Sequence, residues 1–260
     1  MFYQKVLLLL ALTTYVFGNS VRESPQVGII GGKSVPISEV PYMVDLRTRK
    51  GDINEVDHLC GGTIVHERFI LTAAHCCIEP NATFLIAVGT DDVHKGKIYD
   101  VDKTIPHEKY ALETTTDYDY DICLVKLKKK IALGANVTKV TLPDKRTKVK
   151  PGTLLNATGW GFTDPFGHES DILRQVSLPS VNQSECEIIY KDMTNITARM
   201  MCAGVKGRGV CHYDSGGPLM WNNVQVGITS FGKLCSYYPA VFVNITAFLS
   251  WIDDIIAKNI

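Results

Sequence analysis

The sequence predicts an all-β chain of antiparallel strands that ends in one α-helix. From Ile29 onward, short apolar runs are broken by Gly, Pro, Asn and Asp. Examples are Tyr42–Leu46, Phe69–Leu71, Phe84–Val88, Ile122–Leu127, Val224–Ile228 and Ala240–Val243. Several alternate apolar with polar residues, the period of a strand with one buried face, and their spacing suits antiparallel strands rather than βαβ units. The C-terminus departs from this pattern. Phe248, Trp251, Ile252, Ile255 and Ile256 recur at helical spacing, with Asp253 and Asp254 opposite. It is the only clear helical signal.

Charge and composition exclude several partners. The 27 basic and 27 acidic residues cancel, so the chain carries no electrostatic footprint for nucleic acid or an anionic membrane. At the N-terminus Lys5 precedes an apolar run, Val6–Leu12, extended by Tyr15-Val16-Phe17 and followed by Gly18. A spanning helix needs about 20 apolar residues. This shorter run reads as a secretory signal peptide over residues 1–18, so the protein is expected to be secreted and extracellular, with no membrane span. Eight cysteines in a secreted chain point to disulfides rather than a metal cluster. The His75-Cys76-Cys77 cluster is accordingly not expected to hold metal.

Three motifs carry chemistry. Ser215 lies in Cys211-His212-Tyr213-Asp214-Ser215-Gly216-Gly217-Pro218, where flanking glycines let a hydroxyl stand clear of a tight bend. A nucleophilic serine needs a base, and the base needs an orienting carboxylate. His75 in Leu71-Thr72-Ala73-Ala74-His75-Cys76 and Asp121 in Asp119-Tyr120-Asp121-Ile122-Cys123-Leu124 offer both. The order His, Asp, Ser distinguishes this set from unrelated folds that carry the same triad in other orders. Together the three stretches resemble the chymotrypsin/trypsin family of serine endopeptidases, and the resemblance runs from Ile29 to Ile260.

The resemblance implies two six-stranded antiparallel β-barrels with the active site in the cleft between them; the apolar face of the C-terminal helix is expected to pack against the second barrel rather than to bind a partner. It divides the chain into a propeptide at 19–28 and a protease domain at 29–260. It implies a zymogen: cleavage before Ile29 creates an ammonium that pairs with Asp214. The departure is Gly28, where most relatives carry Arg or Lys. The implied disulfides are Cys60–Cys76, Cys186–Cys202 and Cys211–Cys235. A further family bridge would join the positions of Leu155 and Trp221, and both halves are absent. Cys77 and Cys123 remain, beside His75 and two residues after Asp121. Either they form a fourth bridge or they pack as buried free thiols. No cofactor is implied. The segment between Gly89 and Val101 lacks the paired glutamates of calcium-binding relatives, so no structural calcium is expected, and Asp91, Asp92, Asp100 and Asp102 read as surface charges.

Residue by residue, Ser215 is expected as nucleophile, His75 as base, and Asp121 as the group fixing the imidazole, with the nearby Asp119 a surface charge. The family's oxyanion hole uses the amides of the serine and of the residue two before it. Here that residue is Tyr213 instead of glycine, and Tyr213 and Ser215 are expected to retain the two donors. The competing reading is a weak or silent homologue that acts by binding. The pocket floor falls at Gly209, where tryptic members carry aspartate. The walls are expected from Tyr190, Gly232 and Ala240, and Ser230-Phe231-Gly232 is expected to pair the substrate backbone. The expected P1 residue is therefore neutral and apolar. Expected partners are protein or peptide substrates and macromolecular protease inhibitors, with the protein itself a monomer. Sequons begin at Asn81, Asn136, Asn156, Asn182, Asn195 and Asn244. Of these Asn81, Asn182 and Asn195 read as loop positions suited to glycosylation.

Overall fold

A computed structural model describes residues 29–260 apart from 51–55, 111–117 and 165. The signal peptide and propeptide fall outside the described residues. After a two-residue strand β1 (Lys33–Ser34), six strands follow. They are β2 (Met43–Lys50), β3 (Val56–His66), β4 (Phe69–Thr72), β5 (Ala82–Val88), β6 (Lys97–Pro106) and β7 (Cys123–Leu127). They pair in the order β2-β3-β4-β7-β6-β5, and β5 pairs back onto β2 to close a barrel. The second half carries β8 (Leu154–Gly159), β9 (Arg174–Val181), α1 (Gln183–Tyr190), β10 (Met200–Ala203), β11 (Pro218–Trp221), β12 (Val224–Phe231) and β13 (Ala240–Asn244). Its strands run β9-β10-β13-β12-β11-β8, and a β8–β9 ladder closes a second six-stranded antiparallel barrel, with β1 added outside β9.

The apolar runs read from the sequence lie on these strands and point inward. Val44, Leu46, Ile64, Ile70, Leu71, Ile86, Leu124 and Val125 form one buried cluster inside the first barrel. Leu155, Ala157, Val176, Leu178, Leu219, Val226 and Phe242 form another in the second. Closure removes free sheet edges and leaves a cleft where the barrels meet.

The C-terminal helix α2 (Leu249–Asn259) is present, and its packing reaches the first barrel as well as the expected second. Phe248 and Ile252 join the first-barrel cluster, shared with Ile228 and Val243, and the Trp251 ring stacks on His107 with centroids 5.1 Å apart. Trp251 Nε1 also donates to Glu108 at 3.0 Å. The helix therefore ties the chain's end back to its first half. Helix α1 carried no clear sequence signal because only Cys186 and Tyr190 are buried on it, while Ile188 is 68% exposed. Local capping supports it: the Asn182 side chain accepts from the Ser184 N–H at 3.0 Å, satisfying a free first-turn donor.

Four disulfides cross-link the chain: Cys60–Cys76, Cys77–Cys123, Cys186–Cys202 and Cys211–Cys235. The open alternative for Cys77 and Cys123 resolves to a bridge joining the turn at His75–Cys77 to the first residue of β7. The partners are 46 residues apart. Closing a loop of that size in the unfolded chain contributes about 2–4 kcal/mol. Replacing Cys77 and Cys123 together by Ala is expected to lower stability by that amount in a denaturant titration, and no shift in the midpoint would contradict the assignment.

Candidate active site

Asp121, Asp119 and Asp214 lie buried near the cleft, each with a different set of partners. Asp121, just before β7, is 1% exposed. Its Oδ1 accepts the His75 backbone N–H at 2.9 Å, and its Oδ2 accepts His75 Nδ1 at 2.8 Å and Ser230 Oγ at 2.6 Å. A carboxylate only accepts, so His75 carries its proton on Nδ1 and leaves Nε2 without one in the neutral ring. Burial alone lowers the His75 pKa, but the charge of Asp121 and its hydrogen bond outweigh it and raise the value above 6.5.

Asp119 corrects the expectation of a surface charge. It is 4% exposed and receives Arg199 Nε at 2.9 Å, a second Arg199 bond through Nη2, and Thr197 Oγ1 at 3.3 Å. The guanidinium also lies 4.3 Å from the Tyr120 ring centroid. Its partners come from 78 and 80 residues downstream, which local sequence cannot show.

Asp214 is fully buried. Burial pushes its carboxyl up to about 7, against the lowering effect of the Cys211 and Gly161 amides and of His58. Those amides donate at 2.8 Å each. Ile29 is also fully buried, and Ile30 pairs with Gly209, whose N–H donates to the Ile30 carbonyl at 3.0 Å.

The Ser215 segment is held by backbone. The Ser215 carbonyl accepts Gly61 N–H from β3 at 2.8 Å, and Gly216 N–H donates to Thr229 in β12 at 2.8 Å, so both barrels grip it. Gly216 has φ +76°, and a Cβ there would lie 2.1 Å from Thr72 Oγ1 and 2.4 Å from the Gly61 carbonyl. Only glycine fits this bend.

The turn before the serine is less ordinary. Cys211–Asp214 is closed by the Asp214 N–H to the Cys211 carbonyl at 3.2 Å. Tyr213, its third residue, has φ +70°, while His212 does not have positive φ. Positive φ at that position alone marks a type II turn, which favours glycine or asparagine. A non-glycine residue held there costs about 1–3 kcal/mol.

Ser215 and His75 line the same cavity of about 470 Å³, together with Leu59, Phe162, His212 and Tyr213. Ser215 also lines a second cavity of about 760 Å³, with Val210, Thr229, Ser230, Phe231 and Gly232. Gly232 and Ala240 face each other: a Cβ on Gly232 would lie 3.7 Å from that of Ala240. Gly209 is buried beneath Ser236. Tyr190 does not line the cavity. It is fully buried behind Phe231 with ring centroids 5.6 Å apart, donating to the Pro239 carbonyl and accepting from Lys233 N–H. Sequence reasoning missed Tyr118, which stacks on Phe231 at 4.3 Å, and Lys206, whose ammonium lies 4.7 Å from the Tyr237 ring centroid; these four residues border the larger cavity, whereas the expected pocket residues Gly209 and Ala240, like Tyr190, do not line it. Cys60 and Cys76 are bonded to each other, so neither supplies a thiolate beside His75.

An imidazole oriented by a buried carboxylate, open at Nε2 to a cleft that also holds a serine, can deprotonate a hydroxyl for attack on a carbonyl. The chain is similar to known proteases. The Trypsin family profile matches residues 29–252. Trypsin 5G1 of Aedes aegypti is 35% identical over 91% of this chain and 87% of its own length. The vitellin-degrading protease of Bombyx mori is 31% identical over 88% and 85% respectively. A trypsin of Simulium vittatum is 35% identical over 82% and 87%. With that profile covering most of the chain, the closed double barrel and these relatives, the chain belongs to the Trypsin family and is a serine-type endopeptidase.

Proposed function

We propose that the protein is a secreted endopeptidase that cleaves after neutral, apolar P1 residues through Ser215, His75 and Asp121. The observation that carries the triad is the Asp121 carboxylate, buried and shared between the His75 backbone, the His75 ring and Ser230. In this reading His75 takes the Ser215 proton as the hydroxyl attacks the peptide carbonyl. The same proton then passes to the leaving amine, giving an acyl-enzyme that water hydrolyses. The amides of Tyr213 and Ser215 hold the oxyanion, and losing one such donor costs roughly 10²–10³ in turnover.

The specificity reading rests on Gly209. Several relatives are named trypsin, but that name does not carry a substrate to this chain. Gly209 supplies no carboxylate to the pocket, and an unpaired ammonium buried there would be strongly unfavourable. Lys206 adds a positive charge to the same cavity. Ala240 packs behind Gly232, and Ser230-Phe231-Gly232 offers a strand edge for the substrate backbone.

Activation follows from Asp214. A carboxyl pushed up to about 7 by burial becomes a stable anion once a cation arrives, and an Ile29 ammonium released by cleavage is the group we assign to that role. Secretion is supported by four disulfides and by the signal-peptide pattern of residues 1–18. Asn81, Asn182 and Asn195 are exposed, as glycosylation requires. We assign a monomer that acts on protein substrates and is open to macromolecular inhibitors.

Two measurements test this reading on protein beginning at Ile29. In a peptide panel varied only at P1, cleavage after Phe, Tyr or Leu is expected, with none from Ser215→Ala. Cleavage chiefly after Lys or Arg would overturn the Gly209 argument. The pH profile of kcat/KM tests Asp121. The base works only when neutral, so activity falls as pH drops through the His75 pKa, expected above 6.5. In Asp121→Asn the supporting charge is gone, burial dominates, and the acid limb should move down. An unmoved limb would contradict the assignment.

A further inference from the structure

Two buried carboxylates leave the chain on either side of Tyr120 and turn to different partners. Asp121 faces His75 and Ser230, whereas Asp119 faces Arg199 and Thr197. Tyr120 itself has φ +58°, a left-handed conformation that a residue with a side chain keeps only under constraint. This angle is the rotation about the bond from its nitrogen to its α-carbon. Asp119 and the peptide before Tyr120 lie on one side of that bond. The Tyr120 ring and Asp121 lie on the other. A return to negative φ would swing the two sides past each other, and the two carboxylates could not both keep their partners.

Arg199 holds both sides of the bond. Its Nε donates to Asp119 Oδ1 at 2.9 Å, and its Nη2 donates to Asp119 Oδ2. The same guanidinium covers the Tyr120 ring, 4.3 Å from the centroid, where a cation is attracted to the ring face. A group in contact with both sides of a rotating bond opposes the rotation, which a contact on one side alone does not. The surroundings fix each part. Asp119 Oδ1 also accepts the Tyr120 N–H at 2.9 Å, and the Tyr120 ring meets the His107 ring with centroids 4.8 Å apart. Beyond the turn, the Ile122 N–H donates to the Tyr120 carbonyl at 2.7 Å. Arg199 is anchored through its own backbone. Its N–H donates to Thr197 Oγ1 at 3.2 Å, and its carbonyl accepts the Asn244 N–H from β13 at 2.8 Å. The second barrel thus supplies the clamp, and the chain between the barrels supplies what is clamped.

We propose that Arg199 is a positioning residue for Asp121: by binding Asp119 and covering Tyr120 it holds the left-handed turn that aims the Asp121 carboxylate at His75. The proposal rests on reading Ser215, His75 and Asp121 as the triad. In this role Arg199 acts only through Asp119 and Tyr120, on the angle between them and the carboxylate that follows.

The test measures kcat, KM and the pH profile of kcat/KM on protein beginning at Ile29, with a peptide amide carrying Phe at P1. Arg199→Met keeps the stem but loses the bonds and the charge. It is expected to lower kcat about 10–100-fold with KM little changed, since a small misplacement of a catalytic group is costly. The acid limb of kcat/KM should also move down, because His75 loses part of the support of Asp121. Loss of a nearby cation alone would move that limb up, so the direction separates the two causes. In the Tyr120→Asn background the residue accepts positive φ readily, and Arg199→Met should change kcat less than about threefold. Arg199→Lys, which keeps a cation and a donor for Asp119, should recover part of the loss. The double variant Asp119→Asn/Arg199→Met leaves no buried charge unpaired. It should show the same dependence on background and serves if Arg199→Met does not fold. An unmoved or raised limb, equal losses in both backgrounds, or no loss in either would overturn the positioning role, while Ser215-dependent turnover of the parent keeps the triad reading alive. If the parent shows no Ser215-dependent turnover, that reading has failed and the positioning role falls with it.

Discussion

A carboxylate cannot be left unpaired inside a protein, and the placement of Asp121 satisfies this constraint with groups from both halves of the molecule. His75 approaches from the first barrel with a backbone N–H and a ring N–H, and Ser230 approaches from β12 of the second with a hydroxyl. The barrels meet through this anion as well as through apolar contact. Its three bonds orient the imidazole, raise its pKa and join β12 to the cleft. Removing the carboxylate leaves donors from two barrels facing an incomplete partner, so the loss would reach beyond one side chain.

The same logic separates the other buried acids. Asp119 is satisfied by Arg199 and Thr197, which dock the segment before β10 against the loop that carries Asp121. Asp45 is satisfied by Arg47 and His58, which ties first-barrel strands to the Tyr213 turn. Among the described residues Asp214 receives backbone donors from Cys211 and Gly161, and burial raises its pKa despite the nearby His58. Each sits where two elements must be held in register, and their partners differ because their tasks differ.

Much of the fold was legible because strand and helix periods are local. The apolar runs became barrel strands, and the C-terminal pattern became α2. The serine, histidine and aspartate motifs were equally visible, since flanking residues such as Gly216 are dictated by close backbone approach. What sequence could not show was partnership at a distance. Asp119 looked like surface charge because Arg199 lies 80 residues away. Helix α1 escaped because its buried face is two residues wide. The contact of α2 with the first barrel was not legible, because an amphipathic pattern says that a helix is buried, not against what. Tyr190 was placed on the pocket wall, but it braces that wall from behind. Tyr213 was flagged as a departure from the family pattern. The His58 contact with its carbonyl joins residues 155 apart and leaves no motif.

Covalent catalysis by Ser215 is the central claim, and labelling tests it directly. The protein beginning at Ile29 would be treated with a fluorophosphonate and its peptides mapped by mass spectrometry. A single phosphonyl adduct on Ser215, absent from His75→Ala, is the predicted result. No adduct on folded protein, or an adduct that survives loss of His75 unchanged, would contradict the account.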